Sequence, residues 1–302
     1  MTVAAKRVVL IGGKGQVAMS LARELPARGF DVTTLARPDF DLTRTAELAD
    51  AIVAAKPAVV INPAAYTAVD RAEDEPSVAF AINRDGAAAI SSAAAKVGAA
   101  IIQFSTDYVF DGQTTSPYRE DDPTGPQSVY GASKLAGEVA VAAANPRHVI
   151  LRTAWVCSPD GANFLKTMLR LAAERPELRV VDDQRGSPTF AGDIAEITTQ
   201  IAGVIATTSA GAPQFGVFHL ASAGETSWCG FARAIMSVSK SYGGPNVPVH
   251  AITTADFPTK AHRPAYSKLD TSKLARVYGI ELADWESGLR KCLGGMFSAP
   301  RA

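Results

Sequence analysis

The stretch SVYGASKLAGE, residues 128–138, sets a phenol and an ammonium four positions apart among small and apolar residues. Positions four apart share one face of a helix, so Tyr130 and Lys134 can approach one ligand together. A free phenol has a pKa of about 10 and trades protons poorly at neutral pH. A neighbouring ammonium favours the phenolate, so Lys134 is expected to lower the Tyr130 pKa and make the phenol a usable acid or base. Upstream, QFSTDYVFDG (103–112) puts Thr106 at the end of an apolar run, where its hydroxyl can bind a carbonyl oxygen.

A third element stands near the N-terminus. LIGGKGQVAMSL (10–21) carries Gly12, Gly15 and Ala18 in a G-x-x-G-x-x-A pattern. Gly12 allows a tight turn, Gly15 lets backbone amides approach a pyrophosphate, and Ala18 lets a helix lie close on its strand. The helix N-terminus then offers unpaired N–H groups to the anion. After the second apolar run stands Arg37, where an acid would bind an NAD ribose; an arginine suits a 2′-phosphate instead. With Lys14 as a second charge, the pattern favours NADPH, with NADH the alternative. Asp41 and Leu42 are expected beside the adenine, and Lys134 can hold the nicotinamide ribose hydroxyls.

These residues need a frame. KRVVLI (6–11), DVTTLA (31–36), AVVIN (58–62), AAIIQFS (99–105) and HVILRT (148–153) read as buried strands. Helical spacing fills the intervals over 43–55, 76–97 and 129–144, the last with Val129, Ala132, Leu135, Ala136, Val139 and Ala140 along one stripe. Short apolar strands alternating with helices predict an α/β fold with a doubly wound parallel sheet covered on both faces. Ligands then bind outside the carboxyl ends of the strands, at Gly12–Gly15, Arg37, Asn62–Tyr66 and Ser105–Tyr108. The second half is less regular: helices are predicted near 162–174, 192–206, 226–241 and 284–293, and FGVFHL (215–220) as a sixth strand. Clustered Pro and Gly suggest loops of a smaller, partly interleaved domain, and the final FSAPRA is expected to fray.

Composition narrows the function classes. Thirty basic and thirty acidic residues cancel, so nothing global draws the chain to nucleic acid or to an acidic membrane. Cys157, Cys229 and Cys292 lie far apart with no CxxC pair, and His148, His219, His250 and His262 are equally scattered, so no metal site is expected. No apolar run is long enough for a signal peptide or a membrane span, and the chain reads as cytoplasmic. No apolar surface helix stands out, which leaves monomer and homodimer both open.

Glycine loop, strand-end hydroxyl and Y-x-x-x-K together resemble the extended short-chain dehydrogenase/reductase family. GKGQVA, NPAAYTAVDRAED, FSTDYVFDG, VYGASKLAGE, LRTAWVCSPDGANF, VVDDQRGSPTFAGDIA and HRPAYSKLDTSKL look like its dTDP-4-dehydrorhamnose reductase subfamily, from about residue 7 to about 293. The resemblance implies a Rossmann-like domain over 1–154, with about 186–220 and 264–280, and a C-terminal substrate domain over about 155–185, 221–263 and 281–302. It implies Thr106, Tyr130 and Lys134 as the catalytic trio. Gly12, Lys14, Gly15, Gln16 and Val17 match the cofactor loop, Asp41 and Leu42 the adenine contacts, and Ala64, Ala65 and Tyr66 the loop under the cofactor ribose. Val69, Asp107, Tyr108 and Trp155 match the sugar pocket, where a flat indole suits a deoxysugar face. Asn163, Gln184, Arg185 and Arg263 are carried to the nucleotide end, the arginines to neutralise a diphosphate. Ser20 replaces an acid that some relatives carry, which speaks against a metal-bridged dimer.

The implied activity is reduction of the C4 ketone of a dTDP-linked 4-keto-6-deoxy sugar, a nucleotide-sugar substrate made for polysaccharide precursors. Two alternatives stay open. One is a nucleotide-sugar dehydratase or epimerase; dehydratases of the family place Asp-Glu after the strand-end threonine, and here Asp107 and Tyr108 follow Thr106. A non-catalytic subunit, like the regulatory subunit of methionine adenosyltransferase, would keep the dinucleotide loop with little turnover.

Overall fold

The structure is a computed structural model and describes residues 6–298. In chain order its strands are β1 (Arg7–Ile11), β2 (Asp31–Leu35), β3 (Val59–Asn62), β4 (Ala100–Thr106), β5 (His148–Thr153), β6 (Val156–Cys157), β7 (Leu178–Val181), β8 (Arg185–Gly186), β9 (Thr189–Phe190), β10 (Gly216–His219), β11 (Thr226–Ser227) and β12 (Val249–Ile252). Six of them form one parallel sheet in the order β2-β1-β3-β4-β5-β10. The direction of winding reverses between β1 and β3, and the cleft at such a reversal is where α/β sheets bind ligands.

The helices are α1 (Gln16–Ala27), α2 (Thr45–Ala55), α3 (Val69–Ala72), α4 (Pro76–Phe80), α5 (Ala87–Lys96), α6 (Val129–Ala144), α7 (Phe164–Glu174), α8 (Ala191–Ile205), α9 (Trp228–Ser241), α10 (Ser272–Tyr278) and α11 (Trp285–Ser298). One core packs Leu21, Leu25, Ile194 and Ile201 on one face of the sheet, and a second packs Leu48, Ile52, Ile90 and Val141 on the other. Covered on both sides, β3 and β4 are buried at every residue. This is the Rossmann-like arrangement that the alternation predicts. A further core gathers Leu165, Met168, Phe231, Trp285 and Leu289 from α7, α9 and α11.

Four expectations need correction. The helix predicted over 76–97 is interrupted by a π turn, Ala81–Gly86. The helix predicted to end near 293 runs on to Ser298, because Phe297 stacks on Tyr242 with centroids 5.7 Å apart. Of the expected frayed tail, only 299–302 lie outside the described residues. The sequence reading also missed α10 and the short strands β6–β9, β11 and β12, which are too brief to show a period.

The fourth correction concerns α6. Its buried face carries Gly131, Ser133, Lys134, Gly137, Glu138 and Val141. The apolar stripe looks outward: Val139 is 64% exposed. Ala132, Leu135, Ala136, Val139, Ala140 and Ala143 line a shallow surface groove with Arg84 and Pro126. An apolar surface helix therefore does exist. Among the described residues no helix is long and apolar enough to cross a membrane.

Candidate active site

A cavity of about 1020 Å³ opens at the carboxyl ends of the strands. Its first wall is the turn from β1 into α1. Gly12 holds φ at +93° there, a conformation that strains any residue with a Cβ, and its N–H donates to the Leu35 carbonyl at 2.7 Å. Gly15 caps α1, and a Cβ on it would meet no protein atom within 4 Å. Lys14, Gln16 and Val17 line the same wall, as do Arg37, Asp41 and Leu42 beyond β2 and Ala64, Ala65 and Tyr66 beyond β3. Free amides at a helix start, open space over Gly15, and Lys14 and Arg37 nearby fit an anionic dinucleotide. The Asp41 carboxylate also accepts from the Thr43 amide (2.9 Å) and hydroxyl (2.7 Å), which hold its pKa down.

The catalytic candidates come together on β4 and α6. Thr106 ends β4, buried; its hydroxyl donates to Asp107 Oδ1 at 3.0 Å and accepts from the Tyr108 amide at 3.3 Å. The Tyr130 phenol lines the same cavity as Thr106, whose hydroxyl acts on it as a hydrogen-bonding neighbour that lowers its pKa. Tyr130 sits in the first turn of α6, whose N-cap Ser128 accepts from the Gly131 amide at 3.1 Å, while Glu73 accepts from the Val129 amide at 2.8 Å. Lys134 lies one turn on and donates to the Phe104 carbonyl at 2.7 Å. The helix can lie this close because a Cβ on Gly137 would collide with the Asn83 carbonyl oxygen.

The electrostatics overturn one expectation. Burial pushes the Tyr130 pKa up, and the Asp107 and Tyr108 charges push the same way against the Thr106 hydrogen bond. Lys134 does not lower it: burial brings the amine itself down to about 8, with Glu138 opposing. The phenol is thus fully protonated at neutral pH, which equips it to donate a proton rather than to take one. Asp107 is also pushed up, to about 6, by burial, and among the described residues its Oδ2 has no hydrogen-bond partner. Burial raises Tyr108 to about 12; its ring meets Tyr130 edge-on at 5.6 Å.

Val69, Asp107, Tyr108, Trp155, Asn163 and Arg263 line the cavity with the trio. The polar atoms of Asn163 are already engaged: it caps α7 through the Lys166 amide (3.0 Å) and donates to Gln16 Oε1 (2.8 Å). Gln184 and Arg185 do not line the cavity. Gln184 is buried and donates to Thr254 Oγ1 at 3.0 Å, while Arg185 pairs with Glu225 at 2.7 Å. Of the two arginines expected at a diphosphate only Arg263 faces the cavity, held by Asp70 at 2.8 Å.

Two contributors escaped the sequence reading. Asn83, buried in the π turn, accepts from the Tyr66 amide at 2.8 Å and donates to the Tyr66 carbonyl (3.1 Å) and Ser133 Oγ (2.9 Å). Ser133 donates in turn to the Tyr130 carbonyl at 2.8 Å, so the loop after β3 is fastened to α6. An asparagine inside an alanine-rich helix was the available signal, since helix interiors disfavour it. Trp228 is the other; it lines the cavity from the start of α9, and no local pattern announces it.

The family described as "RmlD substrate binding domain" matches residues 6–297. The chain is 48% identical over 285 residues to the dTDP-4-dehydrorhamnose reductase of Sinorhizobium fredii, covering 94% of this chain and 96% of that one. It is 39% identical over 299 residues to the enzyme of the same name from Escherichia coli K12, covering 96% and 98%. The crystal structure of dTDP-4-dehydrorhamnose reductase from Bacillus anthracis in complex with NADP superposes with a TM-score of 0.90 at 34% identity, covering 96% of this chain and 99% of that one.

Proposed function

The chain belongs to the RmlD substrate binding domain family, and on that premise we propose that it reduces the C4 ketone of dTDP-4-dehydro-L-rhamnose to dTDP-L-rhamnose with NADPH, NADH being the alternative donor. In this reading Gly12, Lys14, Gly15, Gln16 and Val17 hold the cofactor's diphosphate and Arg37 its 2′-phosphate. Asp41 and Leu42 flank the adenine, and Ala64, Ala65 and Tyr66 lie under the ribose. Val69, Asp107, Tyr108 and Trp155 receive the sugar, and Arg263 offsets the charge of its diphosphate. The Rossmann-like part serves the cofactor and the part built on α7, α9 and α11 the nucleotide sugar. The reaction needs no metal or membrane, and its soluble partners suit the cytoplasm.

The bound cofactor supplies the hydride to the ketone carbon. Thr106, turning its hydroxyl from Asp107 Oδ1, donates a hydrogen bond to the ketone oxygen. As that oxygen takes up the carbonyl's electron pair, Tyr130 gives it a proton, so ketone, hydride and proton make a secondary alcohol. The phenolate left behind regains its proton from water. Lys134 holds the ribose hydroxyls.

The observation that carries this reading is the meeting of Thr106, Tyr130 and Lys134 in one cavity with the glycine turn. The purified protein is expected to oxidise NADPH only when dTDP-4-dehydro-L-rhamnose is added, with dTDP-L-rhamnose as the product by NMR. Tightly retained NAD that recycles without net oxidation points instead to an epimerase or dehydratase. Absent turnover with a synthetase co-purifying points to a regulatory subunit.

A further inference from the structure

Trp155 follows β5 directly and holds a left-handed backbone, φ +48°; among the described residues only Lys56 shares a positive φ without being glycine. A bulky residue is strained there, and such strain persists only where the surroundings impose it. The surroundings can be named. One face of the Trp155 indole lies flat on Trp228, with ring centroids 3.5 Å apart and planes 6° from parallel. Against its edge stands Gly186, where a Cβ would come to 2.8 Å from Cε2 and 2.9 Å from Nε1. Trp228 is itself fixed. It begins α9 behind Ser227, whose Oγ accepts from the Gly230 amide at 2.9 Å, and Phe164 leans on its ring at 4.6 Å. Trp155, Trp228 and Phe164 all line the cavity.

Resting on the reading that Trp155 faces the deoxysugar, we propose that Trp228 is a positioning residue for the substrate, holding the Trp155 indole flat as the wall of the sugar end. The partners that fix this stack, Phe164 and Gly186, belong to neither the glycine turn nor the loop after β3, and Arg37 is not among them. Sugar capture therefore depends on Trp228 and dinucleotide binding does not. Gly186 has the complementary part: any side chain there drives the indole off its seat.

The test compares Trp228→Ala and Trp228→Phe with the parent. Parallel indoles this close couple excitonically, and both variants lose the resulting paired band in circular dichroism. Trp228→Ala is expected to raise the KM for the keto sugar roughly tenfold, the scale of one lost aromatic stack. Its kcat and its NADPH dissociation constant stay near the parent's. Trp228→Phe, which keeps a flat ring, recovers most of the KM. Gly186→Ala, which leaves Trp228 in place, shows the same rise in KM. An unchanged KM once the exciton band is gone overturns the role. So does a joint loss of sugar and NADPH binding that phenylalanine does not rescue, because that marks a plain core residue. A parent unable to reduce the keto sugar overturns the function and this role together, whereas a competent parent with an indifferent Trp228→Ala overturns only the role.

Discussion

Helix α6 has two faces that reverse the usual order. An amphipathic helix normally turns its apolar stripe to the core and its polar side to water. Here the buried side carries Lys134, Glu138, Ser133 and two glycines, and the opposite side carries exposed Val139 with half-buried Leu135 and Ala136. The buried polar groups are all engaged. Glu138 accepts from Arg152 through Nη2 at 2.8 Å and Nε at 3.0 Å and from Ser105 Oγ at 2.5 Å, and Lys134 donates to the Phe104 carbonyl. Three consecutive residues of β4 thus meet three successive turns of α6: Thr106 with Tyr130, Phe104 with Lys134, Ser105 with Glu138. A helix that must present a phenol and an amine to a cavity roofed by the sheet's edge has to bury polarity, and it does so by pairing every group.

The sharpest way to break this comparison is at the cavity end of the inner face. Tyr130→Phe keeps the ring and its packing and removes only the hydroxyl. Steady-state rates should fall by about 10²–10⁴-fold in kcat, the usual worth of a positioned general acid, with NADPH binding retained. A kcat close to the parent's would make the inner face a structural device with no chemistry.

Next in size is the ion pair behind it. Glu138 and Arg152 are each 4% exposed. Glu138→Gln leaves a buried guanidinium without its counter-charge, which costs about 3–5 kcal/mol. Urea denaturation should register that loss. The double variant Glu138→Gln, Arg152→Met should regain part of it, since exchanging both charges for uncharged groups removes the orphan. Equal destabilisation in single and double variants would mean that packing, not charge, is what this face supplies.

The two faces also explain what the sequence made legible. The strands β1–β5 and the glycine turn were plain, because a parallel sheet writes itself as apolar runs and its ligand loop as small residues next in sequence. Tyr130, Lys134 and Thr106 were singled out by type and spacing, and they share one cavity. The sign of the α6 stripe was not, since periodicity reports that a helix is amphipathic and is silent on which side meets the core. Nor was the direction of the Tyr130 pKa, which depends on how deeply the phenol is buried and on Lys134 spending its donor on a backbone carbonyl. The place of Gln184 and Arg185 outside the cavity was hidden for a similar reason: Arg185 meets Glu225, a residue far along the chain, and no local pattern records that meeting. Asn83 and Trp228 act through tertiary contacts alone.

A smaller effect, about 3 kcal/mol, follows from Lys134 by proton linkage. Burial lowers the amine from 10.5 to about 8 in the folded protein. The folded state therefore sheds this proton before the unfolded chain does, and the group's contribution to stability rises between about pH 8 and 10.5 and is lost again as pH falls through 8. Lys134→Met does not titrate. Its stability relative to the parent should be most favourable below pH 8 and should decline toward pH 10.5. A difference that is flat across that window would show that the amine is not desolvated, and the inner face would lose its charged centre.

The smallest effect is expected on the outer face, and it sharpens the contrast most directly. Val139 is 64% exposed, so a lysine there gives up little buried apolar area. Lysine is also the better helix former of the two by a few tenths of a kcal/mol. Val139→Lys should leave stability within about 0.5 kcal/mol of the parent, as surface changes do, and leave turnover unchanged. The comparison then holds: adjacent positions on one helix differ severalfold in energetic weight, with the apolar one the lighter. A loss of more than about 1 kcal/mol that grows with protein concentration would reverse the assignment. The stripe would then be buried in solution after all, against a second copy of the chain, and α6 would have two inner faces.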